Sequence, residues 1–600
     1  MSPHPASILA AVRDAMARGP EPLDAFIAPA ADPHLSEYVP DCWQRRRWLT
    51  GFDGSAGDAA VTRDRALLWT DSRYWLQAER QAGPRGFDVI RAGAPGAPSL
   101  ADWLASLGTG ARVGIDPNTI SLAGFESLRA RLARAAVSLL PVERNPVDAA
   151  WHDRPATPAA PITAHPLALA GASAADKLAA LRASLRASAA HAHAIGGLDA
   201  IAWLTNLRGG DVPFNPVFIA WMIVTHDAAT LFTDRERMSR DVAASLEGVA
   251  EIAPYAAFPA ALRALGAAGR PVWIDDEATS AWVANTLVAA GSAIAERGRS
   301  PVSIAKARKN DAEIAAMRAA HLRDGVAMAR FLRWLESDRP RAPYDEADLA
   351  DRLEDFRREG EGYLGPSFAS IVGYAANGAI VHYRPERPHA AQVGDRALLL
   401  IDSGAQYTDG TTDVTRTLHL GAPTSEDRAW FTLVLRAHIA VARQRFPMGT
   451  RGAQIDAIAR SPIWQAGLDY GHGTGHGVGA RLSVHESPPN ISTRPAAAAE
   501  LEPGMIFSNE PGLYTEGKGG VRIENLMLVA PDGEGADGRP WMRLEPLTLA
   551  PFQRSLIDAA GLSGDERAWV NDYHRNVRIS LSPLLGDPDR AWLEGATAPL

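Results

Sequence analysis

The chain contains very little cysteine and very little lysine. Cys42 is the only cysteine among 600 residues, so no intrachain disulfide can form, and the sequence suits a reducing compartment. This predicts a cytoplasmic protein. Only four of the 61 basic residues are lysines, at positions Lys177, Lys306, Lys309 and Lys518. The arginine excess indicates a coding bias and carries no information about mechanism.

Long apolar runs are also missing. No stretch approaches the roughly 18 to 20 apolar residues that a membrane span requires, and Arg13 and Asp14 interrupt any signal-peptide core. The pattern from Met1 to Met16 predicts an amphipathic helix instead. A net charge of -9 argues against general nucleic-acid binding. We therefore expect neither membrane nor nucleic-acid partners.

The length predicts several domains, since one domain usually takes about 150 residues. Strand-like and helical patterns alternate within residues 1–155 and again within 156–303, which indicates an α/β fold and raises the possibility of duplicated architecture. A stretch rich in proline and alanine marks the first boundary. The remainder, residues 304–600, contains nearly all of the candidate chemistry.

Two aspartates flank a predicted hairpin. Asp402 ends one strand and Asp413 begins the next, and we expect them to face each other across a turn centred between Tyr407 and Thr408, with Cβ atoms about 5 Å apart. The turn signal at residues 409–410 is offset from that centre, so a longer loop or a bulge is required. Paired carboxylates in a half-buried sheet favour a bound metal, although a turn residue and a strand cap are the structural alternative.

Further candidate ligands lie in glycine-rich and strand-like segments. Residues 471–479 interleave five glycines with His472 and His476, which lets the backbone approach closely and exposes an imidazole, the usual neutral nitrogen ligand. Glu510 directly follows the strand-like segment 504–509, and Glu524 lies within the strand-like segment 521–529. Inward-pointing glutamates at these positions would again need a positive partner.

Together these residues form an oxygen-rich ligand set. Four carboxylates nearly balance two divalent ions, and without a thiolate the set favours Mn²⁺, Mg²⁺ or Co²⁺ over a structural zinc. Two ions about 3.5 to 4 Å apart would hold a bridging hydroxide as nucleophile. The ligand candidates are Asp402, Asp413, His476, Glu510 and Glu524.

These motifs resemble the pita-bread metallopeptidases, in particular the long, three-domain cytosolic Xaa-Pro aminopeptidases. Residues 51–57 and 69–74 also look like that subgroup. The resemblance implies two creatinase-like α/β domains, residues 1–155 and 156–303, and a pita-bread catalytic domain with a C-terminal helical extension over 304–600. It also implies peptides that begin with Xaa-Pro as substrates, two divalent ions, for which we expect Mn²⁺, and a homodimer.

The resemblance assigns roles position by position. Asp413 and Glu524 would bridge the two ions, Asp402 would complete one site, and His476 with Glu510 would complete the other. His382 would lie near the substrate's amino terminus, and His485 would bind the developing oxyanion. Glu510 would carry the proton to the leaving nitrogen. Around them, His472 would line the proline pocket, and Tyr514 and Arg522 would support the metal ligands.

Three other functions are weighed against this one. An Xaa-Pro dipeptidase shares the five ligands and differs in what blocks the far end of the substrate. Creatinase shares the fold without this ligand set, and some pita-bread domains bind peptides without catalysis. The three-domain length favours the aminopeptidase, and the complete ligand set argues against the last two.

Overall fold

In the computed structural model the chain forms two compact units, Met1–Ile304 and Ala305–Leu600, and residues 5–338, 343–493 and 498–600 are described. The predicted amphipathic helix at the amino terminus is present as Pro5–Arg18, and residues 1–4 lie outside the described part. Across the described ranges, no helix is both long and apolar enough to cross a membrane.

The first unit contains two six-stranded mixed sheets. In spatial order, the strands of the first are Asp88–Arg91, Ala66–Thr70, Asp58–Thr62, Ala25–Ala28, Arg112–Ile115 and Ser138–Pro141. Those of the second are Glu251–Ala253, Ala229–Phe232, Trp221–Thr225, Ala192–Ile195, Val272–Ile274 and Ile294–Arg297.

The two sheets share one topology. Numbered along the chain, each has the strand order 4-3-2-1-5-6, ignoring the short strands Thr163–Ala164 and Leu207–Arg208, which pair separately. In each sheet the first three strands are antiparallel neighbours and the remaining pairs are parallel. The similar rhythm of the two sequence segments therefore corresponds to a repeated topology.

Helices pack against these sheets through apolar faces. Ala174–Ala187 is typical: Ser173 caps its first turn by accepting a hydrogen bond from the Asp176 amide, and Leu178, Leu181 and Leu185 are buried on one face. The other α-helices of the unit are Arg45–Thr50, Trp75–Ala82, Leu100–Ala105, Leu122–Ala133, Pro146–Ala150, Leu167–Ala170, Leu198–Thr205, Arg240–Ala244, Phe258–Ala267 and Ala281–Ala290. A further helix, Pro301–Ala307, begins in this unit and continues past its last residue, Ile304.

The second unit contains the strands that carry the candidate ligands. A three-stranded antiparallel sheet consists of Ile371–Tyr374, Leu398–Ser403 and Val414–His419. A six-stranded sheet runs in the spatial order Arg445–Pro447, Pro540–Pro546, Asn525–Glu534, Ile506–Asn509, Gly475–Gly477 and Glu486–Ile491. Two short pairs complete the set, Tyr363–Pro366 with Ala405–Tyr407 and Gly512–Thr515 with Gly519–Arg522.

Long helices surround these sheets. The longest, Asp311–Arg333, begins with a capping box in which Asn310 and Glu313 bond each other's backbone amides. The others are Glu346–Arg358, Ser425–Ala442, Gly452–Gln465, Gly564–Leu581 and Asp587–Ala596. These sheets and helices agree with the predicted pita-bread fold, and the last two helices lie where a C-terminal helical extension is predicted.

Candidate active site

The hairpin that carries Asp402 and Asp413 has a register two residues away from the predicted one. Asp402 faces Thr415, and Asp413 lies just before its strand, so the expected direct pairing of the two aspartates is wrong. The centre of the turn lies one residue later than predicted, closer to the turn-forming pair Asp409-Gly410. Moving the centre of a hairpin by one residue changes which residues face each other by two positions. A shift of two residues keeps both carboxylates on one face of the sheet.

The other three ligand candidates lie at irregular points of the six-stranded sheet. His476 is the middle residue of Gly475–Gly477, and Glu510 follows Ile506–Asn509 directly. Glu524 lies in the break before Asn525–Glu534, where the sequence predicts one continuous strand.

Gly475 allows the close approach of two strands beside His476. A Cβ atom at Gly475 would lie 1.7 Å from the carbonyl oxygen of Ser508. Any larger residue would therefore push the strand of His476 away from Ile506–Asn509. The glycine spacing of the motif thus serves strand packing at the site.

The ligand candidates converge. One ligand atom each from Asp413, His476 and Glu524 lie within 4.8 Å of one another. The His476 Nε2 atom is 3.5 Å from Asp413 Oδ2 and 3.4 Å from Glu510 Oε1. Its Nδ1 atom is 3.0 Å from the carbonyl oxygen of Gly477, which requires the proton on Nδ1 and leaves the Nε2 lone pair facing the carboxylates.

Burial and mutual repulsion raise the pKa values of these carboxyl groups. Burial, followed by the charges of the neighbouring carboxylates, puts the pKa of Asp413 and of Glu524 well above their usual range. Burial raises the pKa of Glu510 to about 7, although the Arg522 charge opposes the shift. A cluster of this kind calls for compensating positive charge.

Two buried oxygen atoms show that the residues present fit divalent cations. Asp402 Oδ1 and Asp413 Oδ1 are both buried and make no hydrogen bond to the described residues. A buried carboxylate oxygen without a donor is costly unless a cation meets it. The five side chains could therefore hold metal ions where these oxygens converge.

A hydrogen-bonded chain joins His472 to Asp402. The Tyr514 hydroxyl oxygen lies 2.9 Å from His472 Nε2 and accepts a bond of 2.8 Å from Arg522, which also donates to Asp402 Oδ2 at 2.6 Å. Burial lowers the pKa of Arg522, but the negative groups around it outweigh this effect and raise it overall, so the guanidinium stays charged. Burial raises the pKa of Tyr514 to about 12.

His485 also adjoins the cluster. Its ring contacts the His476 ring edge to face, with the centroids 4.2 Å apart. The next residue, Glu486, begins the strand Glu486–Ile491 and is fully buried against Lys306, at 2.5 Å, and Lys309. This ion cluster fixes the strand that starts beside His485.

His382 lies on an irregular segment at the same site. The preceding residue, Val381, accepts a hydrogen bond of 3.2 Å from Arg522 Nη2, the group that also binds Asp402. The histidine is half-buried. The structure thus brings the sequence-predicted residues to one region of the second unit.

Sequence reasoning missed two hydroxyl residues that hold the carboxylates. Thr415 donates to Glu524 Oε2 at 2.8 Å, and Ser508 donates to Glu510 Oε1 at 3.0 Å. Each lies two residues from a ligand candidate along the chain, Thr415 from Asp413 and Ser508 from Glu510. Residues two apart along a strand lie on the same face, so the spacing of two from a ligand candidate could have identified both hydroxyl residues.

Comparisons with known proteins place this site in a family. The model for metallopeptidase family M24 matches residues 315–531, and the model for its C-terminal region matches 540–600. Two models for the creatinase/prolidase N-terminal domain match residues 9–145 and 153–313. Aminopeptidase P2 of Arabidopsis thaliana is 42% identical over 613 residues, which cover 96% of this chain and 86% of that protein. The chain belongs to metallopeptidase family M24.

Other members of family M24 match along nearly the whole length. A probable Xaa-Pro aminopeptidase P of Aspergillus fumigatus is 40% identical over 594 residues, 96% of this chain and 90% of its own. The crystal structure of an X-prolyl aminopeptidase from Caenorhabditis elegans, described as a cytosolic enzyme with a di-nuclear active site, superposes with a TM-score of 0.94. It is 32% identical and the match covers 99% of this chain and 100% of that one. The family resemblance predicted from the motifs is confirmed.

Proposed function

We propose that this M24 metallopeptidase removes the first residue from peptides that carry proline in the second position. The observation that carries the proposal is the buried cluster of Asp413, His476 and Glu524, together with the charges of Asp402 and Glu510 beside it and two carboxylate oxygens that lack donors among the described residues. The full-length relatives named Xaa-Pro aminopeptidase support the substrate class.

The metal ligands are Asp402, Asp413, His476, Glu510 and Glu524, which would hold two divalent ions. The C. elegans enzyme, described with a di-nuclear active site, supports the number of ions. We propose Mn²⁺, because the set is rich in oxygen and has no thiolate. When bound, the ions would supply Lewis acidity and a nucleophile at neutral pH.

Glu510 suits proton transfer to the leaving nitrogen of proline. A carboxylate at this position can take up a proton and release it to the leaving group. The secondary nitrogen of proline must gain a proton as the peptide bond breaks, and Ser508 holds the Glu510 side chain in place at 3.0 Å.

Three histidines line the substrate path in this proposal. His485, whose ring contacts that of His476 edge to face, would donate to the developing oxyanion. His382 would meet the amino-terminal end of the peptide. His472, held by Tyr514, would line the side of the pocket that receives proline. Tyr514 and Arg522 would keep Asp402 oriented toward the metal.

The division of the chain and its cellular context complete the proposal. We assign residues 1–155 and 156–303 to two creatinase-like domains and 304–600 to the catalytic domain. A cytoplasmic location agrees with the single cysteine and with the cytosolic description of the C. elegans enzyme. The homodimer, suggested by the resemblance of residues 555–600 to the closing helix of the subgroup, is tested by the mass of the protein in solution.

Hydrolysis of two matched peptides tests the function. Purified protein is stripped of metal, resupplied with Mn²⁺ and given the tripeptide Arg-Pro-Pro or the dipeptide Arg-Pro. We expect manganese-dependent release of arginine from the tripeptide. Cleavage of the dipeptide alone would identify a dipeptidase, and cleavage of neither would leave a binding protein.

A variant pair separates catalysis from a general loss of structure. Asp413→Asn should lower kcat/KM by at least about 100-fold, since loss of an outer-shell partner alone costs about 10- to 100-fold. The exposed Asp565→Asn is the matched control and should keep full activity. Equal activity of the two variants would contradict the assignment of Asp413.

A further inference from the structure

Glu346 is a buried carboxylate outside the metal cluster. It is the first residue of the helix Glu346–Arg358, and its exposed fraction is 0%. Buried carboxylates normally pair with a cation, but every donor that the described residues direct to this side chain is neutral. The amino-terminal end of its own helix adds favourable potential. The Glu346 carboxylate is thus held by neutral hydrogen-bond donors, and it fixes the positions of those donors in turn.

All of these donors come from one stretch of chain, residues 374–391. Oε1 accepts from the Tyr374 amide at 2.7 Å and Oε2 from the Tyr383 hydroxyl at 2.7 Å. The Asn377 side-chain amide lies 3.0 and 3.1 Å from the two oxygens, and the Ala391 amide donates to Oε2 at 2.8 Å. One side chain therefore fixes both ends and the middle of the segment.

This segment carries His382 and has little regular structure. After the 3₁₀ helix Ala375–Ala379, the described residues form no helix or strand before Leu398–Ser403. Backbone pairing reaches the segment at its carboxyl end, where the Glu346 amide donates to the Ala391 carbonyl and the Val393 amide donates to the Tyr344 carbonyl. The described residues between Ile380 and Ala390 depend on turns and side-chain contacts instead. On one side of His382, Arg522 binds the carbonyl of Val381, and on the other side Glu346 binds the hydroxyl of Tyr383.

We propose that Glu346 is a positioning residue, which holds the segment around His382 in the geometry that the reaction needs. This role rests on the proposed function, in which His382 meets the substrate. The chemistry requires a carboxylate, since both oxygens accept hydrogen bonds. In Glu346→Gln, the new amide group would face either the Tyr374 amide or the Ala391 amide and the Tyr383 hydroxyl, so donor would meet donor.

The test compares Glu346→Gln with Glu354→Gln on the same helix, where Glu354 pairs with Arg358 at the surface. We expect Glu346→Gln to lower kcat/KM for Arg-Pro-Pro by about 10- to 100-fold, as a small displacement of a reacting group can. Manganese stoichiometry should be unchanged, and hydrogen–deuterium exchange should increase over residues 375–391. Glu354→Gln should resemble the wild type in all three measurements. Tyr383→Phe, which removes one donor and leaves the carboxylate, should give a smaller loss.

A double-mutant cycle with His382→Ala distinguishes positioning from general support of the fold. If Glu346 acts through His382, the loss caused by Glu346→Gln should shrink to less than about threefold when His382 is already alanine. An equal loss in both backgrounds, or an active Glu346→Gln with unchanged exchange, would overturn the inference. A wild-type protein that releases no arginine would overturn the proposed function itself.

Discussion

Metal loading of the site should release protons near neutral pH. Metal ligands must be deprotonated, but the pKa of Glu510 is about 7 and those of Asp413 and Glu524 lie well above their usual range. Stripped of metal, the protein therefore holds a proton on Glu510 in most molecules at pH 6, and the raised pKa values of Asp413 and Glu524 favour protonation of those groups too. Binding of Mn²⁺ must displace these protons.

The size of the effect follows from Glu510 alone. Each pH unit below its pKa costs about 1.4 kcal/mol of apparent metal affinity, so at pH 5.5 the loss is about 2 kcal/mol, or roughly 30-fold in Kd. The raised pKa values of Asp413 and Glu524 act in the same direction. We therefore expect about one proton from Glu510 to be released at pH 6 and the apparent affinity to rise with pH.

The stability of the metal-free protein shows the same linkage. The folded pKa of Glu510 is raised above its unfolded value, so the stability that its protonation confers is complete below about pH 4.5 and is lost as the pH rises to about 7. Buried histidines such as His438, whose pKa burial lowers to about 3, change stability in the opposite direction. They do so with and without metal, so the difference between the loaded and stripped forms isolates the carboxylates.

Isothermal titration calorimetry measures the released protons directly. Mn²⁺ is titrated into stripped protein at pH 6 in two buffers with different ionisation enthalpies, and the difference in heat gives the proton count. Glu510→Gln, which cannot carry the proton, should release fewer. A proton count of zero at pH 6, or an affinity that does not change between pH 5.5 and 7.5, would refute the reasoning.

Two further substitutions test how the site is built. Glu486→Gln would leave the buried Lys306 and Lys309 without the counter-charge of Glu486 and should lower the free energy of unfolding by about 3 to 5 kcal/mol in chemical denaturation; a loss below about 1 kcal/mol, the value for an exposed pair, would contradict this. Gly475→Ala puts a Cβ atom 1.7 Å from the carbonyl oxygen of Ser508, so the strand of His476 must move and Mn²⁺ affinity should fall. Unchanged affinity in that variant would show that the close strand approach does not position His476.

The residue pattern within each strand predicted many of the site residues. It did not predict how residues on different strands are placed relative to one another. The predicted direct pairing put Asp402 and Asp413 on one face of the hairpin, and the observed shift of two residues leaves them on one face. To predict the register, the centre of the turn must be known to within one residue. The turn-forming residues 409–410 lay away from the centre that direct pairing required, so the sequence did not determine it. Glu524 could not be placed either, since the predicted continuous strand breaks where its amide donates to the Thr415 carbonyl in the other sheet.

The sequence pattern also did not predict which residues hold the segment of His382 in place. Glu346 lies 36 residues before it, at the start of a helix, where a glutamate is ordinarily explained by the helix dipole. Its contacts lie in a segment without regular structure, so no periodicity connects the two. Only the folded chain shows that the donors around Glu346 all belong to the segment of His382.

Three of the four lysines are buried, which limits the lysine side chains that a reagent can reach in the folded protein. Lys306 and Lys309 are buried against Glu486, and Lys177 is buried with its ammonium bonded to the Trp203 carbonyl and to Asn206. Lys518, with a side chain 60% exposed, is the one remaining lysine. Among the lysine side chains, an amine-reactive dye or resin would thus find a single accessible one, on the turn between Gly512–Thr515 and Gly519–Arg522, so lysine labelling of the folded enzyme would occur at one defined position.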